Sequence, residues 1–223
     1  MFPTSSVGKK FVMAATGQFM VVYVVLHVLG NSTIFAHAIN AYADGLRHWP
    51  YIVILWTSRI LLFISILLHA CEGIVLKLEN RKAKPNSNIV TTHLASTFAG
   101  RTAIWSGLVI AAFLIYHLLH FTLQVIEPSI AAITHPDTSG RPDVFGMVTR
   151  AFGNVGIAVI YMTGVLSLGL HLWHGIQSSF QTWGMNGERT FPMIIRIGAA
   201  VAALLFLGYA AIPMSVVMGI LKP

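Results

Sequence analysis

The chain has 223 residues, of which 56% are hydrophobic and only 9% charged, and its mean hydropathy is +0.74. A soluble domain carries about a quarter charged residues, so this chain has too little charge to cover a water-facing surface and reads as an integral membrane protein. Its single cysteine, Cys71, excludes an internal disulfide framework, a cysteine-held iron–sulfur cluster and a cysteine-based zinc site. The net charge of +7 is spread between apolar segments and not gathered in one patch. That pattern argues against nucleic acid as a partner and for loops that record membrane orientation.

The first apolar run opens near Phe11, behind Lys9 and Lys10. It lacks a convincing cleavage site and continues to spanning length, so it reads as a membrane helix and not as a cleaved signal peptide. A hydrocarbon core takes about 20 helical residues to cross. Five stretches reach that length, at 11–36, 51–77, 102–126, 153–181 and 191–218. The apolar runs are too long and too close together for strands. The predicted fold is therefore all-α, one transmembrane domain over 1–223 with five spanning helices. Only the connection at 127–150 is long; Pro128, Pro136, Gly140 and Pro142 mark it as an exposed loop with room for a short interfacial helix.

Orientation follows from Lys and Arg. With the N-terminus inside, the inner segments hold Lys9, Lys10, Lys77, Arg81, Lys82, Lys84, Arg101, Arg189 and Arg196. The outer ones hold Arg47, Arg59, Arg141, Arg150 and Lys222. Nine against five predicts a cytoplasmic N-terminus and an outer C-terminus in a multi-pass protein of the inner (cytoplasmic) membrane.

Ten histidines are many for this length. His37, His48, His93 and His135 fall in or near connections and read as solvated. His27, His69, His117, His120, His171 and His174 lie inside the apolar spans, on the first four helices. Ionisable groups at that depth are costly, turn to the bundle interior and point to function. His27 lies 17 residues beyond Lys10 and His117 lies 16 beyond Arg101, whereas His69 lies 8 before Lys77 and His171 lies 12 before Trp183. Helices 1 and 3 therefore carry histidines toward the outer face, and helices 2 and 4 toward the inner face. At 1.5 Å of rise per residue the two levels differ by roughly 10 Å.

Two neutral imidazoles facing each other from two helices form the axial ligand set of a six-coordinate b haem. Four helices offering two pairs at two depths predict two such haems, held in the bundle of the first four spans. Gly73 and Gly175, one turn after His69 and His171, and Gly30, three residues after His27, would let a flat macrocycle lie against the backbone. Close helix packing is the competing account of each glycine. Spacing alone does not choose between His117 and His120, or between His171 and His174, since residues three apart lie on nearby faces.

The segments HVLGN (His27 to Asn31), HACEG (His69 to Gly73), YHLLHFT (Tyr116 to Thr122) and HLWHGIQSSFQTWG (His171 to Gly184) carry a family resemblance. The chain resembles the single-chain, five-helix, dihaem cytochrome b subunit of succinate:quinone oxidoreductases, the succinate dehydrogenases and quinol:fumarate reductases. The likeness runs from helix 1 to helix 5 and is weakest at 127–150. It implies His27 and His117 as ligands of a distal haem and His69 and His171 as ligands of a proximal one. His120 and His174 then fall to second-rank or propionate-side roles, and Lys77 and Arg101 to the proximal propionates, unless positive-inside charge alone explains them.

By the same resemblance the subunit anchors a flavoprotein and an iron–sulfur protein on the inner face and exchanges electrons with membrane quinone, menaquinone by family. Such a complex is in some cases a dimer. The chain would be the quinone-reactive part of an enzyme whose dicarboxylate site lies on a partner. Quinone is expected near the distal haem, where Asn31, Ser58, Arg59 and His120 are the polar residues; Arg59 serves equally well as a propionate partner or an interfacial anchor. Some fumarate reductases of the family carry a glutamate two residues before the helix-4 ligand. Here that position is Gly169, which puts a glutamate-linked proton route in doubt unless Glu72 substitutes. Alternative readings are the dihaem cytochrome b of a hydrogenase or formate dehydrogenase, which tends to place two ligands on one helix, and a haemless transporter with a histidine relay.

Overall fold

The computed structural model describes residues 5–83 and 98–223; His93 and its neighbours lie outside the described residues. In hydrocarbon every backbone N–H and C=O must find its partner within the segment, so long apolar runs close into helices. The helices are α1 (Ser6–Ser32), α2 (Ile39–Gly45), α3 (Tyr51–Ala83), α4 (Phe98–His117), α5 (Val144–Gly153), α6 (Val155–Thr182) and α7 (Thr190–Val217). A 3₁₀ turn at Thr33–Ala36 prolongs α1, and a π turn at Leu118–Thr122 prolongs α4. No strand occurs among the described residues. α1, α3, α4, α6 and α7 are long and apolar enough to cross a membrane, so the chain is an all-α, multi-pass membrane protein.

Side-chain oxygens stop several helices from fraying. Ser5 accepts from the Gly8 N–H at 3.0 Å, Asp143 from the Gly146 N–H at 2.8 Å, and Asn154 from the Gly156 N–H at 2.9 Å. α1 lies along α3 and α4 along α6, and the two hairpins meet where α1 crosses α6. α7 covers the other side of α6 and is tied to α1 by the Tyr209 hydroxyl, which donates to the Val24 carbonyl at 2.7 Å. Lys9 pairs with Glu79 to join the start of α1 to the end of α3, and Gln18 bonds Ser179 to join α1 to α6. α3 buries only Leu76; an all-round apolar helix of this kind suits a hydrocarbon surround.

One expectation needs correction. The second half of 127–150 is not an exposed loop. It forms α5, which buries Met147, Val148, Thr149, Ala151 and Phe152. Of these, Val148 and Phe152 pack with Ile34, Ile39, Ile157, Tyr161, Ile212 and Val216 into a core at the end of the bundle opposite the N-terminus. Three prolines argued for a loop, but they all precede the Asp143 cap and leave the helix after it intact.

Asn40 of α2 holds this plug in place. Its amide nitrogen donates to Asp137 at 3.3 Å and Asp143 at 3.2 Å, and its carbonyl accepts from the Phe145 N–H at 2.7 Å. Desolvation works to raise the Asp137 carboxyl, but bonds from Arg141, Ser139 and Asn40 outweigh it and hold it at about 2. The unfolded value is about 3.9, so the folded group is depressed. The stabilisation is present above that value and is lost as pH falls through about 2. Asn40→Ala removes three bonds at once and should lower stability by about 1–3 kcal/mol. Thermal unfolding in detergent reads this, and an unchanged midpoint would refute the latch.

Candidate functional site: two facing histidine pairs

α1, α3, α4 and α6 each contribute one interior histidine at the level where its hairpin faces the other. The His27 and His117 ring centroids lie 6.0 Å apart at 88°, and those of His69 and His171 lie 6.1 Å apart at 68°. The 69/171 pair sits toward the end that bears the N-terminus, beside Met13 and Ala103, and the 27/117 pair sits toward the α5 end. Metal–imidazole bonds of about 2 Å, with about 1.1 Å from nitrogen to ring centre on each side, put two centroids about 6 Å apart. The centroid spacing of both pairs therefore matches that of two rings sharing one metal atom. Among the described residues no group of three or more His, Cys, Asp or Glu gathers as a metal site. Two donors on opposite sides suit an iron whose equatorial positions are filled by a porphyrin.

Donor chemistry is clearest at the 69/171 pair. His69 Nδ1 lies 3.0 Å from the Met13 carbonyl, and His171 Nδ1 lies 3.1 Å from the Ala103 carbonyl. A carbonyl only accepts, so each Nδ1 carries the proton and each Nε2 keeps its lone pair, the form a metal ligand needs. Ser106 donates to the same Ala103 carbonyl at 3.0 Å, and its oxygen stands 3.1 Å from His171 Nδ1. Thr16 donates to the Val12 carbonyl at 2.7 Å, and its oxygen stands 3.5 Å from His69 Nδ1. The next residue in each case is a glycine under the ring: a Cβ on Gly17 would lie 3.2 Å from His69 Cε1, and one on Gly107 would lie 3.4 Å from His171 Cε1.

Sequence reasoning missed Thr16, Gly17, Ser106 and Gly107, although a signal was there. Thr16–Gly17 precedes His27, and Ser106–Gly107 precedes His117, with nine residues between glycine and histidine in both. The hydroxyl residue and the histidine are then 11 apart, three helical turns on one face and about 16 Å along the axis. Each of α1 and α4 thus carries a histidine of one pair and an anchor for the other. α3 and α6 answer with His69-x-x-x-Gly73-Ile74 and His171-x-x-x-Gly175-Ile176. The two hairpins repeat one design.

The 27/117 pair is caged by aromatics. Tyr23 stacks on His27 with centroids 5.8 Å apart, Tyr209 lies at 6.0 Å, and Phe113, Phe121 and Tyr161 each lie 5.9 Å from His117. His117 Nδ1 is buried and makes no hydrogen bond. Asn31, expected among the quinone residues, instead meets His27 Nε2 at 3.2 Å.

The remaining candidates separate. Gly30 gives room to the Tyr42 ring, the close packing that its sequence position also allows. Gly73 has Met13 Sδ 3.8 Å from a built Cβ, and Gly175 has no neighbour within 4 Å of one. His120 is buried, 2% exposed, and turns to Tyr161 and Glu127. His174 is partly buried, and Lys77 and Arg101 are exposed at the N-terminal end. Ser58 returns its hydroxyl to the Leu55 carbonyl at 2.9 Å, and the Arg59 guanidinium lies 5.1 Å over the Trp56 ring. Asn31, Ser58 and Arg59 thus each meet a different partner. Gly169 faces Phe206, whose Cβ is 3.4 Å from a built Cβ, and Glu72 is partly buried.

Compared with protein-family models, curated proteins and solved structures, the chain matches none. The functional reading rests on the residues themselves.

Proposed function

We propose that the chain is the membrane cytochrome b subunit of a succinate:quinone oxidoreductase, holding two b haems and exchanging electrons with quinone. The observation that carries the reading is the two facing imidazole pairs, 6.0 and 6.1 Å across, at two levels of one five-span bundle. His69 and His171 would hold one haem and His27 and His117 the other. Bound there, a b haem supplies reversible one-electron transfer, and two at different depths carry electrons across the bilayer.

The chain's own work is to place and insulate. The Met13 and Ala103 carbonyls fix the tautomer and direction of the 69/171 rings. Gly17 and Gly107 let those rings sit against the backbone. Tyr23, Tyr209, Phe113, Phe121 and Tyr161 pack around the 27/117 pair. The resemblance of HLWHGIQSSFQTWG and the other quoted segments adds the partners to this reading: a flavoprotein and an iron–sulfur subunit at the cytoplasmic face, where the N-terminus lies, and menaquinone toward the outer face.

Haem quantitation with a reduced-minus-oxidised spectrum tests the proposal. We expect two b haems per chain, reducible by succinate in the intact complex; folded protein made with haem available yet carrying none would overturn it. Removing outer partners of metal-bound histidines costs about 10–100-fold in affinity. Ser106→Ala leaves the Ala103 carbonyl bond in place, so the low end is expected: haem lost from the 69/171 site about tenfold faster, measured by transfer to an excess haem acceptor.

A further inference from the structure

The end of the bundle near His27 and His117 contains a construction that the two pairs do not use. After His117 the helix widens into the π turn Leu118–Thr122, and the chain then takes left-handed backbone at two non-glycine residues, Gln124 (φ 54°) and Glu127 (φ 55°). π turns and left-handed non-glycine residues gather at functional sites because only a compensating role retains them. Here their result is geometric. They bring Glu127 back over the turn, so that its Oε2 lies 3.4 Å from Nε2 of His120.

The two side chains differ sharply in burial: 1% exposed for His120 and 38% for Glu127. His120 Nδ1 is 3.0 Å from the Tyr161 hydroxyl, and its ring stacks on Phe121 with centroids 4.2 Å apart, so the imidazole is clamped on both faces of its role. Nε2 is buried and completes no hydrogen bond, and neither does Oε2 of Glu127. A buried nitrogen without a partner is costly. This one is aimed at a carboxylate that reaches water. The titratable groups around His120 are Tyr116 on its own helix, Tyr161 on α6 and Glu127 on the connection, with His117 one turn away. Glu127 is the only carboxylate among them.

We infer that Glu127 and His120 form the proton gate through which the quinone reaction exchanges protons with the aqueous phase at this end of the bundle. The inference rests on the functional reading above. In the oxidising direction the two O–H bonds of a hydroquinone break. Its two electrons would leave one at a time for the haem that His27 and His117 would hold, and its protons leave singly. The carboxylate of Glu127 only accepts, so the facing Nε2 of His120 carries the hydrogen and Nδ1 accepts from the Tyr161 hydroxyl. Nε2–H gives its proton to Glu127, which releases it to water, as Nδ1 takes the Tyr161 proton and Tyr161 takes one from the hydroquinone. Quinone reduction runs the same transfers backward, taking two electrons and two protons. The polar atoms of His120 are turned to Tyr161 and Glu127.

The test uses the complex that contains this chain, with Glu127→Gln and Glu127→Asp. Glu127 lies outside the spans, so these variants leave the ligands in place. A positioned proton-transfer group contributes roughly 10²–10⁴-fold. With solvent able to substitute in part, Glu127→Gln should slow hydroquinone-driven haem reduction at least about tenfold. Both haems are retained, Glu127→Asp recovers most of the rate, and added imidazole or formate restores part of the loss. Redox-difference infrared spectra give a reading independent of turnover: a carboxyl band present in the unmodified complex and absent in Glu127→Gln. Glu127→Gln with an unchanged rate and pH profile, or with the carboxyl band still present, overturns the gate while leaving the haem reading intact. An unmodified chain with no haem overturns the haem reading and the gate with it.

Discussion

If the proposed haems are held as the pairs suggest, His69→Ala and His171→Ala should each leave the chain with one b haem instead of two, and the haem that remains should be the one at His27 and His117. His27→Ala and His117→Ala give the opposite loss. The expectation follows from the pairing and from what surrounds it. Each imidazole faces one partner imidazole at 6.0 or 6.1 Å. His120, three residues from His117, is committed to Tyr161 and Glu127. Removing one of two axial ligands also leaves the other imidazole buried without its partner, a cost the bundle does not offset elsewhere. Haem-to-chain ratios and low-temperature reduced spectra of the four variants read the outcome, and the two within a pair should give the same remaining spectrum. His120→Ala and His174→Ala keep both haems. If His174→Ala lost a haem and His171→Ala did not, the assignment on α6 would be wrong. If single losses did not sort into 27/117 and 69/171, the cross-hairpin pairing itself would fall.

How much of this was legible in the sequence varies by element. The spans were, because a bilayer imposes a length and a composition that few other settings require; α3 and α7 start within one residue of their expected positions. The two depths were legible because α-helical rise converts residue number into height. The π turn after His117 was not, since nothing in LLHFT distinguishes i+5 from i+4 bonding. The burial of α5 was also hidden: the prolines before Asp143 speak for a turn, and a ten-residue helix leaves too short an apolar pattern to show what it packs on. Glu127 looked like one charge in a polar loop. Its approach to His120 depends on two left-handed residues that glycine-based reasoning does not anticipate. The Thr16–Gly17 and Ser106–Gly107 anchors were legible only as a repeat, since either one alone is an ordinary small pair in a membrane helix.

The repeat also explains why the pairs are unlike in their surroundings. Where α1 and α4 start, each hairpin partner is held by a carbonyl and a hydroxyl. At the other end the same helices present their own histidines to a region closed by α5, α7 and the aromatic cage. The 69/171 rings are fixed by hydrogen bonds through Nδ1. Among the described residues, the 27/117 rings depend on packing, with Asn31 as a polar contact on His27 and no hydrogen bond on His117 Nδ1. A pair positioned by packing should respond more to a change of volume than to a change of polarity.

Gly164→Leu puts that to the test, and we expect it to remove the haem of the 27/117 pair while sparing the other. A Cβ on Gly164 would fall within the ring of Phe113, so α4 and α6 approach here only because the glycine has no side chain. Phe113 lies 5.9 Å from the His117 ring and 5.2 Å from that of Tyr161. Leucine must therefore push Phe113 toward His117 or drive the two helices apart, and either movement opens the 27/117 spacing. Overpacking of this kind costs about 1–3 kcal/mol, which should appear as a lower unfolding temperature in detergent. The 69/171 pair, two to three turns along α4 with its own carbonyl anchors, keeps its haem. A second substitution separates displacement from general damage: Phe113→Ala vacates the volume that leucine takes. The double variant should then be more stable than the sum of the single losses by about 0.5–3 kcal/mol, and should regain the missing haem. Gly164→Leu with both haems retained would show that Phe113 can move without His117 and that the cage does not position the pair. Equal loss of both haems, not recovered by Phe113→Ala, would assign the effect to the fold as a whole.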